Sequence, residues 1–577
     1  MFDVKIVNGT IVDGTGAARF VGDVAITDGV IVAVAPSVDG EAREVIDATG
    51  LVVTPGFVDI HTHYDGQATW DSLLDPSASH GVTTVVLGNC GVGFAPVRPG
   101  SESWLVELME GVEDIPGTAL HEGIQWSWET FPEYLDALGA RAYSMDVAAF
   151  VPHAPLRVYV MGERGALDVE PTAEEIAQMA DHVRASIAAG AIGVSTSRSL
   201  NHRTLDGELV PGTFADADEL VGLARAMVDA GGGLFEAVPS GETGDDRDMV
   251  VGEIELLAEV SRRTGAPVSF LMVQSGGAPD LWAEQLEHVA RLNAEGANLV
   301  PQVAGRPGGM LIGAATYHGL MRRPTFRRLE QECSYDELLI ELRKPEVKAA
   351  ILAEQDLPAD PNRQYESIAD NMAYMFERLF VLGDPPDYEP TRDRSIAGIA
   401  EATGTDPWEV LYDVIASGAL LLGAFTNYAN VSQDHLRVML EHPDTVVGLS
   451  DGGAHVRFIC DASMPTYLLT HWTRDRTRGD TIPLETIVRK QAALTAATIG
   501  LYDRGTIEVG KRADLNVIDL DNLRLEPPFP SDDLPAGGRR ILQPAHGYVA
   551  TIVHGVVVRR DDVDTGARPG RLVRAAH

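Results

Sequence analysis

Eight short apolar runs alternate with helix-length amphipathic stretches through the middle of this chain, and that alternation confines it to a parallel α/β architecture. The runs are residues 57–63, 82–90, 146–153, 191–196, 233–238, 268–274, 298–304 and 445–451. Amphipathic stretches precede several of them, such as 173–189 before the fourth and 214–230 before the fifth. Eight such units predict a closed (β/α)8 TIM-like barrel, whose chemistry gathers at the C-terminal strand ends. An open doubly wound sheet is the competing arrangement. The strand count and the β-rich flanks favour the barrel.

The flanks are rich in β-branched residues and Asx-Gly turns (Asn8-Gly9, Asp13-Gly14, Asp28-Gly29). Neither flank is long enough to bury a core alone, so residues 1–53 and 503–577 are expected to join in one small β-sandwich domain around a catalytic barrel at 54–502. Two regions break the alternation. Residues 91–145 contain a helical stretch at 102–111 and the aromatic run 126–134; residues 305–440 read as a mostly helical insertion, with helices at 306–324, 335–355 and 408–414. Insertions on the catalytic face of a barrel often cover the substrate.

The net charge of −40 excludes a nucleic-acid binder and an anionic-membrane binder, whose footprints are basic. Three cysteines, Cys90, Cys333 and Cys460, make no disulfide framework and suit a reducing cytoplasm. No secretory signal and no membrane-spanning run is visible, and the reading leaves room for a homo-oligomer.

The strand ends carry the chemistry. Thr54-Pro55-Gly56-Phe57-Val58-Asp59-Ile60-His61-Thr62-His63 ends in two histidines on one face of an extended chain, their Cα atoms about 6–7 Å apart. Two neutral imidazoles so placed make half of a metal site. The second strand closes in Gly88-Asn89-Cys90-Gly91, where a thiolate can ligate or bridge metal. The eighth closes in Ser450-Asp451-Gly452-Gly453-Ala454-His455, where two glycines let the backbone approach the site and Asp451 can ligate metal and accept a proton from water. His153, Arg198, His202, Arg306 and His455 are candidates for holding substrate, and Arg203 is a further cation near the fourth strand end.

Together with the closing Gly510-Lys511-Arg512-Ala513-Asp514-Leu515, these motifs resemble the amidohydrolase superfamily, and within it the D-aminoacylase (N-acyl-D-amino-acid deacylase)-like branch, over nearly the whole chain. The resemblance implies metal ligation by His61 and His63, Cys90 in place of a bridging carboxylated lysine, and Asp451 as catalytic base. It also implies histidines at strands five and six. Strand five instead offers only Glu236, and strand six ends in Gln274. The expected site is therefore rearranged: His61, His63 and Asp451, with Cys90 and Glu236 as further ligands. Zinc, as one or two ions, suits such donors, with iron or manganese open. The expected activity is metal-dependent hydrolysis of a C–N amide bond in a small N-acyl (D-)amino acid or a related amide. A cyclic amide hydrolase, a deaminase, or an inactive barrel acting as a binding protein are the competing readings.

Overall fold

The computed structural model describes residues 1–575 except 242, 243 and 245, which follow strand five, and 361–365 and 367 of the insertion; the last two residues of the C-terminal flank also lie outside the described residues. All eight expected strands are present: Phe57–Asp59, Val82–Leu87, Asp146–Pro152, Gly193–Ser197, Leu234–Val238, Val268–Leu271, Leu299–Val303 and Val446–Val447. They pair in sequence order and in parallel. Strand eight contributes only two residues to the ladder, and the barrel is closed just beyond it. There the His63 amide donates to Gly452 O at 2.7 Å and the Asp451 amide to His61 O at 3.2 Å, with a parallel bridge between Thr62 and Gly452. The Ser450 hydroxyl adds bonds to Asp59 and to His61 O. The segments that carry His61, His63 and Asp451 are thus the two that close the barrel.

Strands one, two, six and eight stop three or four residues short of their expected ends, and in strands one, two and eight the residues beyond the ladder include His61, His63, Cys90 and Asp451. The surrounding helices begin where local chemistry starts them. The helix expected from 214 begins at Ala217, since the Asp216 side chain accepts from the Glu219 amide at 2.9 Å and caps it. Thr172 and Glu175 form a capping box ahead of Ala173–Ala188.

Strands from both ends of the chain share one nine-stranded sheet, in which Val52–Pro55 runs antiparallel to Leu515–Ile518. The long strand Phe2–Ile11 pairs Phe20–Thr27 along one edge and serves two neighbours along the other, Ala42–Asp47 beside its first half and Val52–Pro55 beside its end. Ile6, Ile26, Val53, Leu515, Val517 and Ile552 form its core. The Gly-Lys-Arg-Ala-Asp-Leu motif ties this sheet to the barrel. Arg512 bonds Asp514 and the third-strand residue Asp146, each at 3.0 Å, and Arg504 bonds Asp146 at 2.8 Å.

The insertion differs from its expectation. Residues 306–324 are not a helix; they hold the strand Gly309–Ile312, and the helix Pro324–Glu332 begins only where Pro324 can take the first helical position. Gly309–Ile312 pairs antiparallel with Leu421–Ala424, which pairs in turn with Leu379–Val381. Its partner lies more than a hundred residues away, beyond the reach of local periodicity. The expected helix at 335–355 is two, Tyr335–Leu342 and Pro345–Ala353, broken ahead of Pro345. The insertion has its own core around Ile312, Phe326, Leu411 and Phe458. Phe458 belongs to the segment just after strand eight: its carbonyl accepts from the Leu311 amide at 2.7 Å and its ring meets Tyr317 at 5.4 Å. The insertion therefore packs onto the loop that carries Asp451.

Candidate metal centre

His61 and His63 lie past the end of strand one, yet the closing hydrogen bonds keep their segment extended and their ring centroids 5.5 Å apart. Both are 1% exposed. Cys90 sits between them: its Sγ is 3.2 Å from His61 Nε2 and 3.7 Å from His63 Nε2. These three ligand atoms lie within 4.8 Å of one another. Asp451 Oδ1 is 3.5 Å from His61 Nε2, with 26% of its side chain exposed. Metal bonds of the length zinc makes to nitrogen, oxygen and sulfur span ligand–ligand edges of roughly 3.3–3.6 Å in a tetrahedron. The donor set and its spacing fit a divalent ion.

Cys90 and Asp451 reach the centre from left-handed backbone, with φ of 56° and 48°. Such conformations cost energy and persist where the surroundings enforce them. Beside Cys90 a glycine permits the close packing that holds the turn in place. A Cβ on Gly91 would lie 2.7 Å from Ser197 N and 2.8 Å from Thr196 Cα, at a φ of +68°. Gly91→Ala is expected to cost about 2–4 kcal/mol, combining left-handed strain with a backbone clash, and to displace Cys90. Chemical denaturation together with metal content checks this; unchanged stability and metal content would refute it.

Outer groups orient the inner ones. Gln302 Oε1 lies 3.0 Å from His61 Nδ1, which fixes that nitrogen as the donor and leaves Nε2 free. Glu236, expected as a ligand, is placed differently. Its Oε2 accepts the Cys90 amide at 3.1 Å and its Oε1 faces His61 Nδ1 at 3.9 Å, on the ring edge turned away from Cys90. As placed, Glu236 holds the ligands and does not join them. Glu113 stands 3.5 Å from His63 Nδ1 and 3.7 Å from His455 Nε2.

Burial dominates the electrostatics. It lowers His61 to about 4, against the pull of Gln302, and holds His63 well below the ordinary imidazole range, helped by His61, His455 and His202. Both imidazoles are neutral at pH 7, as ligation requires. Burial raises Asp451 to about 8, with Asp461 and Asp59 adding repulsion, and Glu236 to about 8, with Asp451 adding and the Cys90 amide resisting. The Cys90 thiol is pushed up by burial and then by Glu113, Glu236 and Asp451. Glu236 Oε1, Glu113 Oε1, Asp65 Oδ2 and His63 Nδ1 are buried without hydrogen-bond partners. A cluster of acids and a thiol that repel one another in this way is stabilised by a cation in its midst.

The profile described as "Amidohydrolase family" matches residues 44–559. This chain belongs to the amidohydrolase family. Its similarity extends end to end to D-aminoacylase of Alcaligenes xylosoxydans xylosoxydans, 26% identical over 583 residues that cover 99% of this chain and 97% of that one. Among solved structures, D-aminoacylase superposes with a TM-score of 0.65 at 24% identity, covering 100% of both chains. An N-acyl-D-glutamate deacylase from Bordetella bronchiseptica, complexed with zinc and a phosphonate inhibitor, superposes with 0.63 at 25% identity, again over 100% of both.

In this amidohydrolase the predicted residues divide. His61, His63, Cys90, Glu236 and Asp451 converge as described. His202, whose Nδ1 is 2.9 Å from Ser197 Oγ, lies within electrostatic reach of His61, His63 and His455, so His202 and His455 border the centre. His153, Arg198 and Arg306 are corrections, since each is buried and spent on internal partners. His153 bonds Thr196 and Glu219 through its two nitrogens; Arg198 pairs with Glu253 through two bonds, at 2.7 and 3.1 Å. Arg306 lies 3.9 Å over the Tyr388 ring and bonds Cys460 O and Asp461 at 2.9 Å. Arg203 turns back to Gly207 O. Gln274 is consumed by Pro279 O and the Ala429 amide.

Sequence reasoning missed Gln302 and Glu113 in this amidohydrolase. Gln302 had a signal, a lone amide near the end of an otherwise apolar strand. Glu113 had one too: an acidic pair, Glu113-Asp114, ends a helix where the dipole disfavours negative charge.

Proposed function

We propose that this chain is a metal-dependent hydrolase of C–N amide bonds that deacylates N-acyl amino acids, with the D series as its natural substrates. The observation that carries the reading is the triad His61, His63 and Cys90 beside a partly exposed carboxylate, Asp451. The membership of the family and the end-to-end likeness to D-aminoacylase support it. His61 Nε2, His63 Nε2, Cys90 Sγ and Asp451 would hold one divalent ion, zinc by the chemistry of the donors. When bound, that ion polarises an amide carbonyl and acidifies water at the site.

The chain's own residues do the rest. Asp451 accepts a proton from the attacking water and returns it to the departing nitrogen, so that amide and water become acid and amine. His61 and His63 stay neutral and keep their lone pairs. His202 and His455 orient the substrate from the rim. The insertion, packed on the Asp451 loop, keeps bulk water from the reacting carbonyl. A cytoplasmic setting suits the free cysteines Cys90, Cys333 and Cys460, and among the described residues no helix is long and apolar enough to cross a membrane.

The test is metal analysis joined to a panel of N-acyl D- and L-amino acids and cyclic amides. Close to one metal per chain with D-selective deacylation is expected. Fewer than about 0.3 metal per chain after metal-supplemented growth, with no turnover, would favour a binding protein instead. Turnover of only the cyclic amides would reassign the substrate.

Proton release gives a second check. At pH 7 the metal-free site holds protons on the Cys90 thiol and on Asp451, both raised by burial. A cation favours the ionised forms, so uptake at pH 7 is expected to expel more than about one proton per metal, and affinity is expected to rise with pH. Calorimetry in buffers of different ionisation heats reads the number directly; no release would contradict this assignment of protons.

A further inference from the structure

Glu113 is a buried carboxylate to which the hydrolytic scheme above gives no task. It closes the helix Glu102–Glu113, is 2% exposed, and sits at the helix end where the dipole disfavours a negative group. Two observations say why it is there. The first is geometric. Cys90 faces His63 through Nε2, at 3.7 Å, and Glu113 Oε1 faces the opposite nitrogen, Nδ1, at 3.5 Å. Both Glu113 Oε1 and His63 Nδ1 are buried with no hydrogen-bond partner, so each is the available partner of the other.

The second is that this helix end is anchored to the site from two sides. The His455 amide donates to Glu113 O, Arg457 Nε bonds Asp114 Oδ1 at 2.8 Å, and the Tyr317 hydroxyl of the insertion reaches the same oxygen at 3.3 Å. The loop after strand eight and the insertion together hold Glu113 against His63.

We propose that Glu113 is a positioning residue that holds His63 as the Nδ1–H tautomer, turning the Nε2 lone pair toward the metal. Gln302 does the same for His61 with a neutral amide, and Glu113 does it with a carboxyl group delivered by a helix outside the barrel wall. A carboxylate that accepts from Nδ1–H makes the ligand nitrogen more basic than an amide partner does, so the two histidines are unequal donors. This rests on the metal-hydrolase reading.

The test is zinc affinity of the full chain, by chelator competition, for wild type, Glu113→Leu and Glu113→Gln. Glu113→Leu is expected to weaken zinc binding about 10–100-fold, and Glu113→Gln, which keeps an acceptor, to recover most of that. A folded Glu113→Leu variant within about threefold of wild type would overturn the assignment while leaving the metal reading intact. Wild-type protein that takes up no zinc would instead overturn the metal reading, and this one with it. A second measurement needs no variant. In zinc-loaded wild type with nitrogen-15 histidine, the proton of His63 is expected on Nδ1; a proton on Nε2 overturns the proposal.

Discussion

Asp451→Asn is expected to lower kcat about 10³–10⁴-fold, a loss of about 4–5.5 kcal/mol of transition-state stabilisation, while zinc stays bound. The substitution isolates one property. Asparagine tolerates the left-handed φ of 48° at this position, so the backbone at the barrel closure survives, with the Asp451 amide still donating to His61 O. An amide oxygen remains 3.5 Å or so from His61 Nε2, available as a weak metal ligand. What disappears is the ability to take a proton from water and give it to the leaving nitrogen. Retained turnover in a zinc-loaded Asp451→Asn protein would sink the mechanism. Lost turnover with lost zinc would show Asp451 to be chiefly a ligand.

The second large effect is on the metal itself. His61→Ala is expected to lower zinc affinity about 10²–10³-fold, its share of the roughly 10–16 kcal/mol that a full ligand set supplies. The loss is more than one donor atom, because His61 Nε2 touches both Cys90 and Asp451 and its Nδ1 is held by Gln302. The protein should also lose the ligand-linked part of its stability. Metal at a thousandfold excess over its dissociation constant contributes about 4 kcal/mol to the folded state. At the same zinc concentration His61→Ala should gain only about 0.4–1.4 kcal/mol, so the shift in thermal unfolding on adding zinc should be far smaller than in wild type. Equal affinities in the two proteins would remove His61 from the ligand set.

The barrel was legible because its signal is local: eight apolar runs and the amphipathic stretches between them are written within windows of a dozen or so residues. The convergence of His61, His63, Cys90 and Asp451 was legible because each follows the end of a barrel strand, and strand ends converge whatever the intervening sequence. The failures share a different cause. Arg306 and Arg198 were candidates for holding substrate, and only the fold reveals that Asp461 and Glu253 are their partners. Gly309–Ile312 looked unlike a strand because its partner, Leu421–Ala424, is remote. Glu236 looked like a ligand because it stands on strand five, but a rotation of one side chain decides whether a carboxylate meets a metal or a backbone amide. Residues at strand ends can be placed from sequence; the direction in which they point cannot.

The sheet shared by both ends of the chain has a consequence for biosynthesis. Val52–Pro55 emerges from the ribosome early, but the strand that pairs with it, Leu515–Ile518, follows more than four hundred residues later. At ordinary synthesis rates the nascent chain carries that open strand edge for about 20–90 s, while the barrel grows beside it. An unpaired edge of this composition is a site for wrong partners, on the same chain or on a neighbour on the polysome. The position of Val52–Pro55, immediately before the strand that carries His61 and His63, means that the metal-binding half of the barrel must form next to an unfinished sheet.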